Sequence, residues 1–174
     1  CLYVSIKGTL ITEKKAIYTI IGVDANGYKD VLGFWIDKTE SASFWTSVFE
    51  DLKARGVKDI LYMSSDGIAG FKGSLETAFP KTQGQRCVVH LTRNLYKLCP
   101  KKGANKIIAG WKRIYTSSSF EAACIELEQF KKDFKDYKAV VKKVEDFMEL
   151  IQPLFELPNE IRKAIYTSNA VESV

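Results

Sequence analysis

Leu61-Tyr62-Met63-Ser64-Ser65-Asp66-Gly67 is the stretch on which the reading of this chain turns. Asp59 to Ser64 has the character of a buried strand, and Ile68 to Phe79, closed by Pro80, that of a helix. Gln83 to Val89 then reads as a further strand. Strands alternating with helices imply parallel crossovers. Asp66 therefore leaves its strand at the carboxyl end, where open α/β sheets place their ligands.

Upstream, Leu2 to Lys7, Lys15 to Asp24 and Tyr28 to Ile36 alternate and are rich in β-formers, with Asn26-Gly27 marking a hairpin between the second and third. These three segments predict an antiparallel meander. Ser41 can cap a helix in which Phe44, Trp45, Val48, Phe49 and Leu52 recur at helical spacing, and Gly56 supplies a left-handed stop. A meander followed by two strand-helix units predicts an α/β fold with a mixed five-stranded sheet. That order of elements is similar to the ribonuclease H-like (retroviral integrase-like) domains.

Beyond His90 the pattern becomes helical, over roughly 91–98, 104–115, 119–134 and 137–150, with Ser118 and Glu121 as a capping box. Pro153 and Pro158 interrupt it before a short helix over Asn159 to Tyr166. A crossover unit needs only about thirty residues. The expected division is thus a sheet core over 1–90, a helical insertion over 91–157 and a return to the core over 158–174.

The 174 residues, 46% of them hydrophobic, suit one well-buried domain. The chain opens on Cys1 inside a strand pattern and stops at Val174 in a helix-like turn, so it is expected to be part of a longer protein. Cysteines 1, 87, 99 and 124 have no paired spacing, which suggests neither a disulfide framework nor a cysteine-based zinc site and fits a reducing compartment. No apolar run approaches a membrane span. The net charge of +5 is uneven: residues 1–92 carry 11 basic and 10 acidic groups, 93–143 carry 13 and 5, and 144–174 carry 2 and 6. A solvated helical face could look like this, but lysines beside acidic metal-ligand candidates also suit an enzyme acting on a polyanion.

Asp66 and Glu172 are the candidate pair. Each has an ordinary explanation, Asp66 as a helix cap and Glu172 as part of a capping box with Asn169. Converging with a third acid they would instead hold hard divalent cations, which prefer carboxylate oxygen. Cys87-x-x-His90 invites a thiolate-imidazole reading, yet three-residue spacing at a strand end does not guarantee hydrogen-bond reach. A histidine there is better placed to orient a ligand or phosphate. Trp35, Trp45 and Trp111 fit core periodicity. Arg93, Asn94 and Lys97 lie on the helix after His90, where they could meet phosphates or simply face water; Lys101, Lys102, Lys112 and Arg113 extend the basic set.

A longer pattern links these segments: Ala16-Ile17-Tyr18, Val31-Leu32-Gly33-Phe34-Trp35-Ile36, Leu52-Lys53-Ala54-Arg55-Gly56, Ser65-Asp66-Gly67, Ala78-Phe79-Pro80, Cys87-Val88-Val89-His90 with Arg93-Asn94, Glu160-Ile161-Arg162, and Tyr166-Thr167-Ser168-Asn169-Ala170-Val171-Glu172. In this order they resemble the Mutator-type family of insertion-sequence transposases, and the likeness runs over essentially the whole chain. The resemblance implies DNA cleavage and strand transfer by a DDE mechanism, with Asp66 as second acid, Glu172 as third, and Cys87 and His90 as the near-site C-x-x-H signature. It further implies two Mg²⁺ ions, replaceable by Mn²⁺, together with DNA as partner, a homodimer or higher synaptic assembly, no membrane, and a bacterial cytoplasmic location at the nucleoid, or a nuclear one in a eukaryote. The family's first aspartate would fall one residue before Cys1. Two rivals stay open at this point, a non-catalytic DNA-binding or assembly module and a ribonuclease H-like nuclease or resolvase. The 174 residues alone are expected to give little or no Mg²⁺-dependent strand transfer; robust joining of element-end DNA by them would contradict the missing-acid reading.

Overall fold

The computed structural model describes residues 2–7, 12–24, 26–37, 41–67 and 70–166. They form a mixed α/β protein in two units, one drawn from 2–61 and 70–82, the other from 62–67 and 83–166.

In the first unit β1 (Leu2–Lys7), β2 (Thr12–Val23) and β3 (Lys29–Asp37) make the expected antiparallel meander, with β2 central. Gly27 takes φ +85° in the β2–β3 turn, while the Asp24 carboxylate accepts the Asn26 and Tyr28 backbone N–H groups at 2.9 and 2.8 Å. Alternation on β2 buries Ala16 and Tyr18 on one face. Against that face lies α1 (Ala42–Ala54), whose stripe Phe44, Trp45, Val48, Phe49 and Leu52 is buried as its spacing predicts. The Tyr18 ring centroid stands 4.9 Å from Phe44 and 5.3 Å from Trp45. Ser41 Oγ accepts the Phe44 N–H at 3.1 Å, and Gly56 at φ +97° ends the helix. Helix α2 (Phe71–Ala78) packs on α1 through Phe71, 4.8 Å from Trp45 and 5.5 Å from Phe49.

In the second unit β4 (Tyr62–Ser65) and β5 (Gln83–Arg86) pair in parallel, from Tyr62↔Gln83 to Ser65↔Arg86. Among the described residues the five strands thus pair as a sheet of three and a sheet of two. Strand β4 begins later than expected because Leu61 is exposed. The expected strand over 83–89 is corrected: β5 ends at Arg86, and α3 (Val88–Leu98) starts two residues on, with Cys87 as its N-cap. The apolar run that suggested a strand serves helical spacing instead, burying Val88, Leu91 and Leu95.

Helices α4 (Ala104–Tyr115), α5 (Phe120–Asp133) and α6 (Lys138–Ile151) come next, close to the ranges expected. The cap of α5 is Ser119, whose Oγ accepts the Ala122 N–H at 3.2 Å, so the box assigned to Ser118 is displaced by one residue. Ser118 instead presents its carbonyl. That oxygen and the Ser117 carbonyl accept from the guanidinium of Arg162, at 3.0 and 2.9 Å, on α7 (Asn159–Tyr166). Arg162 also donates to the Asn159 side chain, stacks over Phe155 at 5.3 Å and is 4% exposed. Trp111, fully buried at the centre of this unit, donates its indole N–H to Thr92 Oγ1 at 2.8 Å and meets Phe147 at 5.5 Å.

Helices α4 and α5 meet at Gly110, where an added Cβ would lie 2.8 Å from the Phe130 ring. Overpacking of this kind costs about 1–3 kcal/mol. Gly110→Ala is expected to lower the thermal midpoint measured by circular dichroism, and a midpoint equal to that of the parent would contradict this packing.

Candidate functional site

The site is built where the parallel β4–β5 pair ends. After Ser65 and Arg86 the ladder closes with one more bond, the Cys87 N–H donating to the Ser65 carbonyl at 2.6 Å. Beyond it the two chains diverge, one into Asp66-Gly67 and the other into α3. His90, in the first turn of α3, thereby faces Asp66, with Nε2 3.8 Å from Oδ2. Helix α2 is capped by Gly70, in the left-handed conformation. The ordinary capping explanation for Asp66 therefore does not hold for α2. Its carboxylate is partly exposed and open to another role.

Burial lowers the pKa of His90 below 6.5; Asp66 opposes this, while Arg93 and Arg86 add to it. The imidazole is consequently neutral at pH 7. At 3.8 Å its contact with Asp66 is a close approach of a neutral ring to a carboxylate rather than a formed ion pair. His90 Nδ1 is buried with no hydrogen-bond partner, and with Nε2 turned to Asp66 neither nitrogen is engaged with the Cys87 thiol. A Cys-His nucleophile thus has no geometric support. The described cysteines, 87, 99 and 124, are free thiols.

Arg86 was not foreseen. Its guanidinium lies against Gly67, which has φ +83°, and any side chain at 67 would overlap it. The register Ser65↔Arg86 sets this cation beside the acid, a neighbourhood visible only once the strands are paired.

Of the basic residues expected to meet DNA, Lys97, Lys101, Lys102 and Lys112 are exposed on α3, the turn after it and α4, and make no ion pair among the described residues. Arg93 is exposed on α3. Arg113 is committed elsewhere: its Nε lies 2.9 Å from Glu126 and its Nη2 3.7 Å from Asp133, joining α4 to α5. Glu172 lies outside the described residues. Among those residues no three histidine, cysteine or acidic side chains cluster as a metal site, and of the expected acids Asp66 alone is described. Its partly exposed carboxylate is of the hard-oxygen type that Mg²⁺ takes.

Residues 1–174 match the model of the Mutator family of transposases, and the chain belongs to that family. It is 35% identical over 173 residues to a probable transposase for an ISRM3-like insertion sequence element of Sinorhizobium fredii, covering 98% of this chain and 43% of that protein. The ISRM3 transposase of Rhizobium meliloti gives the same identity and coverage. The IST2 transposase of Acidithiobacillus ferrooxidans is 35% identical over 160 residues, 90% of this chain and 54% of its own length. The chain thus spans about half the length, or less, of these relatives. No described helix is long and apolar enough to cross a membrane.

His90 is the chain's one histidine, so its titration can be followed without assignment. In metal-free buffer it is expected to titrate below 6.5, and lower still in Asp66→Asn, which removes the carboxylate favouring the imidazolium. Because the unfolded chain then binds the proton at higher pH than the folded one, this group's contribution to stability is complete above 6.5 and is lost as pH falls through the folded value. An NMR titration that moves upward in Asp66→Asn would contradict this placement.

Proposed function

We propose that this chain is the catalytic portion of a DDE transposase with a ribonuclease H-like fold. It cleaves DNA at element ends and joins the freed 3′-hydroxyl to target DNA. The observation that carries the reading is Asp66. It leaves a parallel strand pair at the carboxyl end, does not cap the next helix, and lies beside a neutral histidine in a chain that belongs to the Mutator family throughout its length.

In this reading Asp66 and Glu172, with an acid contributed from outside the chain, hold two Mg²⁺ ions, or Mn²⁺ in their place. Bound there, the metal supplies Lewis-acid stabilisation of in-line phosphoryl displacement. The residues of the chain do the rest. Neutral His90 adds no charge that would compete with a cation for Asp66, and its exposed edge can orient a phosphate oxygen. Arg86 holds the Asp66-Gly67 turn from behind. The bond from the Cys87 N–H to the Ser65 carbonyl anchors the start of α3 and with it the place of His90.

The four unpaired lysines 97, 101, 102 and 112 neutralise phosphates of donor or target DNA, in a homodimer or larger synaptic assembly acting at the nucleoid. Such contacts position DNA with little base preference, and binding weakens steeply with salt.

In the full-length protein, Asp66→Asn and Glu172→Gln are each expected to reduce Mg²⁺-dependent cleavage and joining of element-end DNA by at least about a thousandfold, on the scale of losing a principal electrostatic contributor. DNA binding should persist in both. Undiminished joining by either variant would remove that acid from the site and favour a non-catalytic role for this region.

A further inference from the structure

Helix α3 has two faces. At about 100° per residue, the side opposite buried Val88, Leu91 and Leu95 carries His90, Arg93, Asn94 and Lys97, spaced i, i+3, i+4 and i+7. This polar face begins at the Asp66–His90 approach. From His90 to Lys97 it runs about 10 Å along the helix axis. On its flank, three residues after Arg93 and next to Lys97, stands Tyr96, 55% exposed.

The surroundings separate this tyrosine from an ordinary surface aromatic. From Thr77 to Phe120 the sequence has no acidic residue and nine basic ones: Lys81, Arg86, Arg93, Lys97, Lys101, Lys102, Lys106, Lys112 and Arg113. Elsewhere in the same unit two lysines are matched by acids, Lys131 with Glu128 and Glu145 and Lys142 with Asp146. Lys97, Lys101 and Lys102 have no such match among the described residues. An exposed ring set among these lysines offers stacking and phosphate neutralisation together, the two elements of a single-strand site. A ring on a helix surface stacks most readily on an unpaired base, because the internal bases of a duplex are already stacked on both faces.

We infer that the outward face of α3 binds a single-stranded DNA segment adjoining the scissile phosphate, one unpaired base stacking on Tyr96 and the neighbouring phosphates lying on Arg93 and Lys97. The assignment rests on reading Asp66 as the place of strand cleavage, and it adds that the end near that place is held unpaired.

Binding in EDTA tests this without requiring catalysis. Full-length protein is titrated with two oligonucleotides of the same sequence, one a blunt duplex and one with a single-stranded 3′ overhang carrying 2-aminopurine. Tyr96→Ala is expected to weaken overhang binding about tenfold, as loss of one stacked base would, to leave the blunt duplex unchanged and to relieve the quenching of 2-aminopurine. Tyr96→Phe, which keeps the ring, should behave as the parent. Lys97→Gln should weaken the overhang DNA more than the blunt duplex and flatten the salt dependence of overhang binding; equal weakening of both would overturn the placement of the segment on Lys97. Equal loss on both DNAs in Tyr96→Ala would overturn the inference. So would unchanged overhang binding, whether or not the variant's oligomeric state shifts; a shift would mark the face as a protein contact. Matching thermal midpoints confirm that the variants fold. An active Asp66→Asn enzyme would overturn the catalytic reading while leaving these binding results intact, so the two failures are distinguishable.

Discussion

Everything at the candidate site depends on the pairing of two four-residue strands. The parallel β4–β5 register, finished by the bond from the Cys87 N–H to the Ser65 carbonyl, brings together residues more than twenty positions apart. Each strand contributes a side chain from beyond its carboxyl end rather than from within it: Asp66 from one, His90 from the other. A slip of one residue would turn each side chain to the opposite face and separate the pair. The helices behind β5 make such a slip costly, since Val88, Leu91 and Leu95 enter the core built around Trp111 only when α3 starts where it does.

The electrostatics derive from that placement. Burial keeps His90 neutral even though a carboxylate stands nearby, and the two arginines flanking it reinforce the effect. The site therefore combines a partly exposed acid with a histidine that remains an uncharged donor or acceptor near neutral pH, a combination suited to handling phosphate oxygens without cancelling the acid's charge. Beyond the site the charge sorts by element. Arg113 and Lys131 are used as ties between helices, whereas the lysines of α3 and the turn after it meet no acid among the described residues.

Much of this was legible in the sequence because it is local. The stripe on α1, its Ser41 cap, the Gly56 stop and the turn around Asn26-Gly27 are all set by neighbouring residues, and all lie where spacing and turn chemistry put them. Asp66 was legible as the residue leaving a strand. The failures come where tertiary context decides. Cys87-Val88-Val89 is as apolar and β-branched as a strand end, and only the core that receives Val88 and Leu91 makes it a helix start. Arg86 could not be seen beside Gly67 without the strand register, nor Arg113 known as a tie without Glu126 and Asp133 opposite it. Glu172, read from its motif, lies outside the described residues.

The buried guanidinium of Arg162 bears on how such a chain can diverge. Besides the Asn159 side chain, its acceptors are the Ser117 and Ser118 carbonyls at the corner between α4 and α5, more than forty residues earlier. Backbone carbonyls impose no sequence, so the corner is free to change its side chains. What it cannot change freely is its path, because rerouting or excising it would take two acceptors from a desolvated cation. The helical region is therefore open to substitution and closed to shortening at this point. Lineages of this protein should vary in length elsewhere, in the turns that Arg162 does not reach.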